Sequence, residues 1–335
     1  MANIVYGMPW TPPPTPAPNW LGMSMFWRGW DGSEWAISDS RSGAVLLAGT
    51  RGLTLPPTSR VVDSSPARAG SRHRGSVTSE REVFWPIKIF HGDGSLDWVA
   101  RDRAFRRTLD PDRPGVWTVT QPSGETRSLT LHFDNEGAQA FDTIPSLIGW
   151  AHYGLYLVAE QPYWVGDPVT RSWAADVPMP FFDPTGPQLV NISSAHKLAT
   201  ATLDNPGDVG SYPRWYIDGE IESATVGVDG GMGGVHIPFA IAANQCLIIE
   251  TDPDVIGATL YEISPEQLAL DERDRKKPSE RVVGVDLISP VDMTAALGPA
   301  DFQPIPAGKA VPLTLVMTGT GKIEVFLPTL WKAAW

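Results

Sequence analysis

The sequence predicts a mainly β protein in two parts: a β fold carrying one helix, then a β-sandwich. Three observations lead there. Glycine and proline number 32 each among 335 residues, a density of turn-formers that suits many short strands and not a helical bundle. Apolar runs in the second half recur at roughly ten-residue spacing with turns between them, as in a sandwich. In the first half, only the stretch GDGSLDWVARDRAFRRTLDP, 92–111, carries helix start and stop signals. The length suggests two domains, and a Pro- and Asp-rich stretch without periodicity, 166–188, places the boundary near residue 173.

Taken in order, residues 1–24 read as an extended proline-rich arm, MANIVYGMPWTPPPTPAP at its head, with no signal-peptide pattern. FWRGWDGSEW, 26–35, concentrates three tryptophans and a phenylalanine beside two glycines. EWAIS (34–38) and AVLLAG (44–49) are short strands split by SDSRSG, and a long loop, 51–78, follows. SEREVFWPIKIF (79–90) alternates, with Val83, Trp85, Ile87 and Ile89 on one face; Pro86 argues for an edge strand or a bulge. In 92–111, Ser95 is the expected N-cap, Asp97 suits the first turn, Arg106 and Arg107 suit the last, and Pro111 stops the helix. Strands at 116–120 and 127–133 flank the turn PSG, and 152–164 forms another strand.

Beyond the boundary, KLATATL, PRWYIDG, SATVGVD, GVHIPFAI, QCLIIETD, GATLYEI, AVPLTLVMTG and KIEVFLP read as strands. The charge-dense stretch 264–282, SPEQLALDERDRKKPSERV, interrupts them as a solvated helix or loop insertion.

Charge is unevenly spread. Up to Trp173 there are 16 Lys and Arg against 17 Asp and Glu; beyond it, 10 against 21. The acidic second half argues against a broad nucleic-acid footprint. A local basic run, Arg60–Gly75, contains Arg60, Arg68, Arg72 and Arg74, and reads as a solvated or inter-subunit contact loop. No run of 18 apolar residues suggests a membrane span. Cys246 stands alone in an apolar run and reads as a buried, inert thiol.

Enzyme motifs are scarce. The six histidines are scattered without metal-ligand spacing; no nucleophile elbow or P-loop occurs; GVDGGMGGVH (227–236) reads as a hairpin turn and ETDPD (250–254) as a strand-end turn. Asn191-Ile-Ser193 matches a glycosylation sequon, uninformative without a secretory signal. No catalytic, metal or cofactor-binding residue is assigned. The aromatic spots FWRGWDGSEW, QPYW and PRWY fit burial in cores or subunit contacts better than sugar stacking.

Several phrases then line up: GWDGSEWAISD, GTRGLTLPP, SEREVFWPIKIF, a helix, a hairpin around QPSGETRSL, a strand ending AEQPYW, and TLDNPGDVGSYPRWYIDG opening the second part. Over about residues 25–330 this succession resembles the distal tail protein (Dit) family of long non-contractile-tailed bacteriophages, the siphovirus minor tail or baseplate hub proteins. The resemblance implies a tail-tube-like β domain with one helix, 25–173, assembling into a hexameric ring. A galectin-like β-sandwich, 174–335, carrying the charged insertion 264–282, would sit on the outside of that ring.

It further implies a structural protein, not an enzyme, joining the tail tube to the tail tip. The expected partners are further copies of itself, the tail tube protein, the tape measure protein and the tail-associated tip or hub protein, with no cofactor, no nucleic-acid binding and no membrane. The protein would be made in the host bacterial cytoplasm and end in the virion. On that reading Trp27, Trp30 and Trp35 fill the core and the seam between neighbours, and Arg68, Arg72 and Arg74 make inter-subunit or partner contacts. Two other readings compete: a carbohydrate-binding, lectin-like module contacting the host surface, and a glycoside hydrolase with an accessory sandwich.

Overall fold

The computed structural model describes residues 22–137, 141–174, 198, 200–229, 234–271 and 273–335. Most of the expected N-terminal arm, the sequon and the whole stretch 175–197 lie outside these residues. The chain is mainly β, built from antiparallel sheets.

The first half runs β1 (Ser24–Arg28), β2 (Glu34–Ala36), β3 (Ala44–Leu46), β4 (Thr58–Ser65), β5 (Arg68–Thr78), β6 (Arg81–Phe90), α1 (Ser95–Arg107), β7 (Gly115–Thr120), β8 (Thr126–Glu136), α2 (Pro145–Ile148), β9 (Trp150–Ala159) and β10 (Trp164–Ala174). β8 is the corner of this part. Its Thr126–Leu131 stretch pairs with β7, and beyond it His132–Glu136 pairs with β9. One layer is therefore β2-β1-β7-β8 and the other β8-β9-β6-β3.

The two layers close on tryptophan. Trp27 stands directly opposite Trp35 on β2 and Trp117 on β7. Trp85 on β6 meets Trp27 and Trp117 edge-on, each with ring centroids 5.2 Å apart, and Trp164 continues the chain at 5.1 Å from Trp117. Edge-to-face packing suits the aromatic quadrupole. Gly115 is required by the crowding: a Cβ there would lie 2.2 Å from the Trp27 ring. The inward set Val83, Trp85, Ile87 and Ile89 is fully buried, as alternation predicts.

Pro86 is not at an edge, contrary to the sequence expectation. β6 pairs with β9 along its whole length and with β3 on the other side. Pro86 falls in the gap between the end of β3 pairing at Ile87 and the Arg51–Phe84 bridge, and its carbonyl accepts from Leu47 N at 2.7 Å. A missing N–H is harmless at such an interruption.

The helix lies where expected, with Trp98 and Phe105 buried. Its N-cap, however, is Gly94, and Ser95 is the first helical residue, its Oγ donating to the Ser146 carbonyl at 2.6 Å. Two further corrections concern loops. Residues 58–78 form a β-hairpin, and 164–174, which runs into the stretch 166–188 read as aperiodic, form a strand pairing with the last strand of the chain. In both, partners distant in sequence or a self-contained pairing override weak local pattern.

The second half contains β11 (Thr202–Asn205), β12 (Arg214–Asp218), β13 (Ile221–Val228), β14 (Val235–Ile237), β15 (Gln245–Glu250), β16 (Gly257–Ile263), α3 (Pro265–Leu268), β17 (Leu287–Asp292), β18 (Lys309–Gly319) and β19 (Lys322–Trp331). Strands ordered β17-β16-β15-β12-β19-β10 face a second layer, β11-β18-β13-β14. The core between them is aliphatic, with Ile217, Leu247, Ile249, Ile323, Val325 and Leu327 against Leu203, Val226, Leu313 and Leu315, and Trp215 among them. The outer face of β12, β15 and β19 is also covered: Tyr216, Cys246 and Ile248 pack with Ile263, Leu268 and Leu287 under the segment 264–292. Burial on both faces explains the unbroken apolar run Cys246–Ile249.

Candidate functional site: an assembly surface

The tryptophan cluster answers to its own chain. Trp27 and Trp35 are 1% and 7% exposed, so they pack the core and offer nothing to a neighbour. Trp27 also donates to Thr108 Oγ1 at 2.8 Å, which ties β1 to the end of α1. Trp30 alone of the three stays half-exposed. Its indole donates to the Arg107 carbonyl at 2.9 Å, and the Arg113 guanidinium sits 3.4 Å from its ring centroid. Of the other aromatic spots, Trp164, Trp215 and Tyr216 are buried. A sugar-stacking platform needs exposed rings, so these residues do not supply one.

The basic run belongs to the hairpin β4–β5, which pairs with no other strand among the described residues. Every β4 residue is exposed, and Val61, Val62 and Val77 are among its bare side chains. Arg68 opens β5 opposite Ser65; Arg72 stands opposite Asp63, and Arg74, at a bulge, makes an ion pair with that same carboxylate. The hairpin base is tied down by Tyr163, whose hydroxyl donates to Thr78 Oγ1 at 3.1 Å. An isolated two-stranded hairpin is marginal in water, and this one is exposed along the whole of β4.

A second exposed surface was not read from the sequence. Leu96, Ile144 and Leu147 are 85%, 63% and 74% exposed, with Phe141, Ile148 and Trp150 beside them. They gather where the start of α1 meets α2 and the end of β6, through the Ser95–Ser146 hydrogen bond and the Phe90–Trp150 pairing. The signal was present in FDTIPSLIGW, an apolar run too short and irregular for a strand. Such a patch on a folded chain marks a contact surface.

Arg81 has a different task. It is 1% exposed, and its guanidinium donates to the carbonyls of Gly52, Thr54, Pro162 and Lys332. Burial without a carboxylate pulls its pKa down to about 10. Arg127 holds the same C-terminal tail, donating to Ala333 O and stacking 3.9 Å from the Trp331 ring centroid. Ala334 is thereby buried in the first core.

Among the described residues no group of His, Cys, Asp and Glu could hold a metal, and no helix is long and apolar enough to cross a membrane. Cys246 is fully buried, and that burial raises its thiol pKa, leaving it unreactive.

No family model matches the chain, and no curated protein matches it. Solved structures do. The Dit protein (gp 19.1) of phage SPP1, a hub of the adsorption apparatus in phages infecting Gram-positive hosts, superposes with a TM-score of 0.56 at 12% identity, covering 92% of this chain and 98% of that one. A chain of the phage P2 baseplate in its activated conformation with Ca gives 0.52 at 8% identity, with the same coverages. The likeness is one of fold: over 92% of its length this chain has the architecture of phage Dit and baseplate proteins.

Proposed function

We propose that the chain is a structural distal tail protein of a long-tailed bacteriophage, an assembly hub without catalytic activity. The observation that carries this reading is the fold shared with the SPP1 Dit protein over nearly the full length of both chains. Residues 25–173 would form the ring and 174–335 the outer, galectin-like sandwich, with β10 and the tail 332–334 as the joints between them.

The two exposed surfaces support a ring. The hairpin leaves the body at the start of β6, and the Leu147 patch lies at its other end, about 33 Å away for ten extended residues. Different surfaces at opposite ends fit a head-to-tail contact, the kind that closes into a ring when the rotation is right. The hairpin of one copy, with Val61, Val62, Arg68, Arg72 and Arg74, would reach the next copy, and Trp30 remains available at a seam. Six copies would surround a lumen continuing the tail tube. Tube, tape measure and tip proteins would be its neighbours, and the assembled protein would reside in the virion after synthesis in the host cytoplasm.

The test is light scattering on the purified chain, with negative-stain images of the same sample. Six-chain particles with a central hole are expected, alone or on co-expression with tube and tip proteins. Replacing Leu147 and Ile148 by Asp should give a folded monomer. A chain that stays monomeric even with tube and tip proteins would sink the ring.

A further inference from the structure

The charge-dense segment 264–282 reads from the sequence as a solvated helix or loop insertion. It lies instead against the sandwich, over the ends of β12 and β19, and encloses a cavity of about 590 Å³. Lining that cavity are Arg273, Arg275, Lys276, Lys277, Arg281 and Lys322. These are six of the ten Lys and Arg in a half of the chain that carries 21 Asp and Glu. Among the described residues, only two acidic side chains, Asp218 and Glu280, share the lining.

The cations divide by task. Arg281, its side chain 4% exposed, grips Asp218 through two hydrogen bonds of 3.0 and 2.9 Å and forms a fixed floor. Its Nε, buried, has no hydrogen-bond partner among the described residues. Lys276 is bound to Asp286 at 2.6 Å and Lys277 to Glu280 at 3.5 Å. Arg275 is held by the carbonyls of Leu268 and Leu270, which fix its position and leave its charge uncancelled. Arg273 and Lys322 make no ion pair among the described residues. Gly219 and Gly321 form the opposite wall, and a Cβ on Gly321 would lie 2.3 Å from Ile221. The wall is therefore bare backbone.

We propose that this cavity binds an oxyanion of the phosphate class, presented as a phosphodiester group on a polymer. Three uncancelled cations around a rigid Arg–Asp floor suit a tetrahedral anion. The volume falls in the range of small-molecule sites and exceeds what one free phosphate fills, leaving room for the organic body on either side of a diester. Attraction of a polyanion to this spot is local, because the rest of the sandwich is acidic and repels it. The inference stands whether or not the chain forms a ring.

The experiment is calorimetric titration of the full chain with inorganic phosphate, a glycerol-phosphate polymer and polyglutamate. Each is repeated on R273E and K322E, with thermal melting of every variant. Both phosphate ligands are expected to bind, the polymer more tightly. Each substitution should cost about tenfold in affinity, with melting unchanged and binding weakened by salt. Phosphate binding without any gain from the polymer overturns the polymer source. Polyglutamate binding as tightly as the polymer makes the cavity a protein-docking site and overturns the proposal, as does phosphate binding that neither substitution alters.

Discussion

Two arginines of this protein, Arg81 in the first half and Arg281 in the second, are held in opposite ways. In the first, Arg81 is enclosed by aromatic layers and satisfied by four main-chain carbonyls from three separate segments. In the second, Arg281 meets a carboxylate, Asp218, and the nearby strap adds Lys276 against Asp286. A guanidinium held by carbonyls cross-links backbone and has no carboxylate to exchange it for. A pair held by a carboxylate depends on that carboxylate's ionisation. The first core is therefore a permanent clasp, while the strap over the second responds to acid and to competing anions.

The sharpest way to break the comparison is at the tryptophans. Trp85→Ala removes the ring that joins both layers and should cost about 3–5 kcal/mol, read from urea denaturation; Ile217→Val, equally buried in the aliphatic core, should cost only about 1 kcal/mol. Arg81→Met comes next, with a loss of about 3 kcal/mol from carbonyls left unpaired. The tail 332–335 should then become sensitive to carboxypeptidase. Retained stability and a protected tail would show that Arg127 alone holds it.

Acid sharpens the second half of the comparison. The Asp286 carboxylate is held below the ordinary 3.8, first by Lys276 and then by the Val282 N–H. Being depressed, its contribution is complete above the unfolded value and is lost as pH falls through the folded one. The strap should loosen below about pH 4; pepsin, active in that range, should then cut within 264–292, and resistance to it down to about pH 2 would refute the loosening. Smallest of all, Arg74→Ala on the exposed hairpin should shift monomer stability by less than about 0.5 kcal/mol. Any larger effect in the assembled state would measure contact with another chain.

Much of the architecture was legible because it repeats locally. The alternation of Val83, Trp85, Ile87 and Ile89, the hairpin around Gly124, and the evenly spaced second-half strands each state their burial over a few residues. β10 and β17 were missed because their sequences, WVGDPVTRSWA and LISPVD, are half-exposed edge-type strands with no clean period. The proposed assembly surface was partly legible. The basic run pointed to the hairpin region, but tryptophan content misdirected attention to Trp27 and Trp35, since sequence cannot distinguish a ring that fills its own core from one that awaits a neighbour.

By itself, then, the sequence determined a mainly β chain with one substantial helix, an inert cysteine and an acidic second half, since these follow from side-chain period and composition. Only the tertiary structure decided which cations are buried and what they hold. Arg81 and Lys332 are 251 residues apart, and Arg281 and Asp218 are 63. Partners at such separations are chosen by how the sheets fold over one another, and no local pattern encodes that choice.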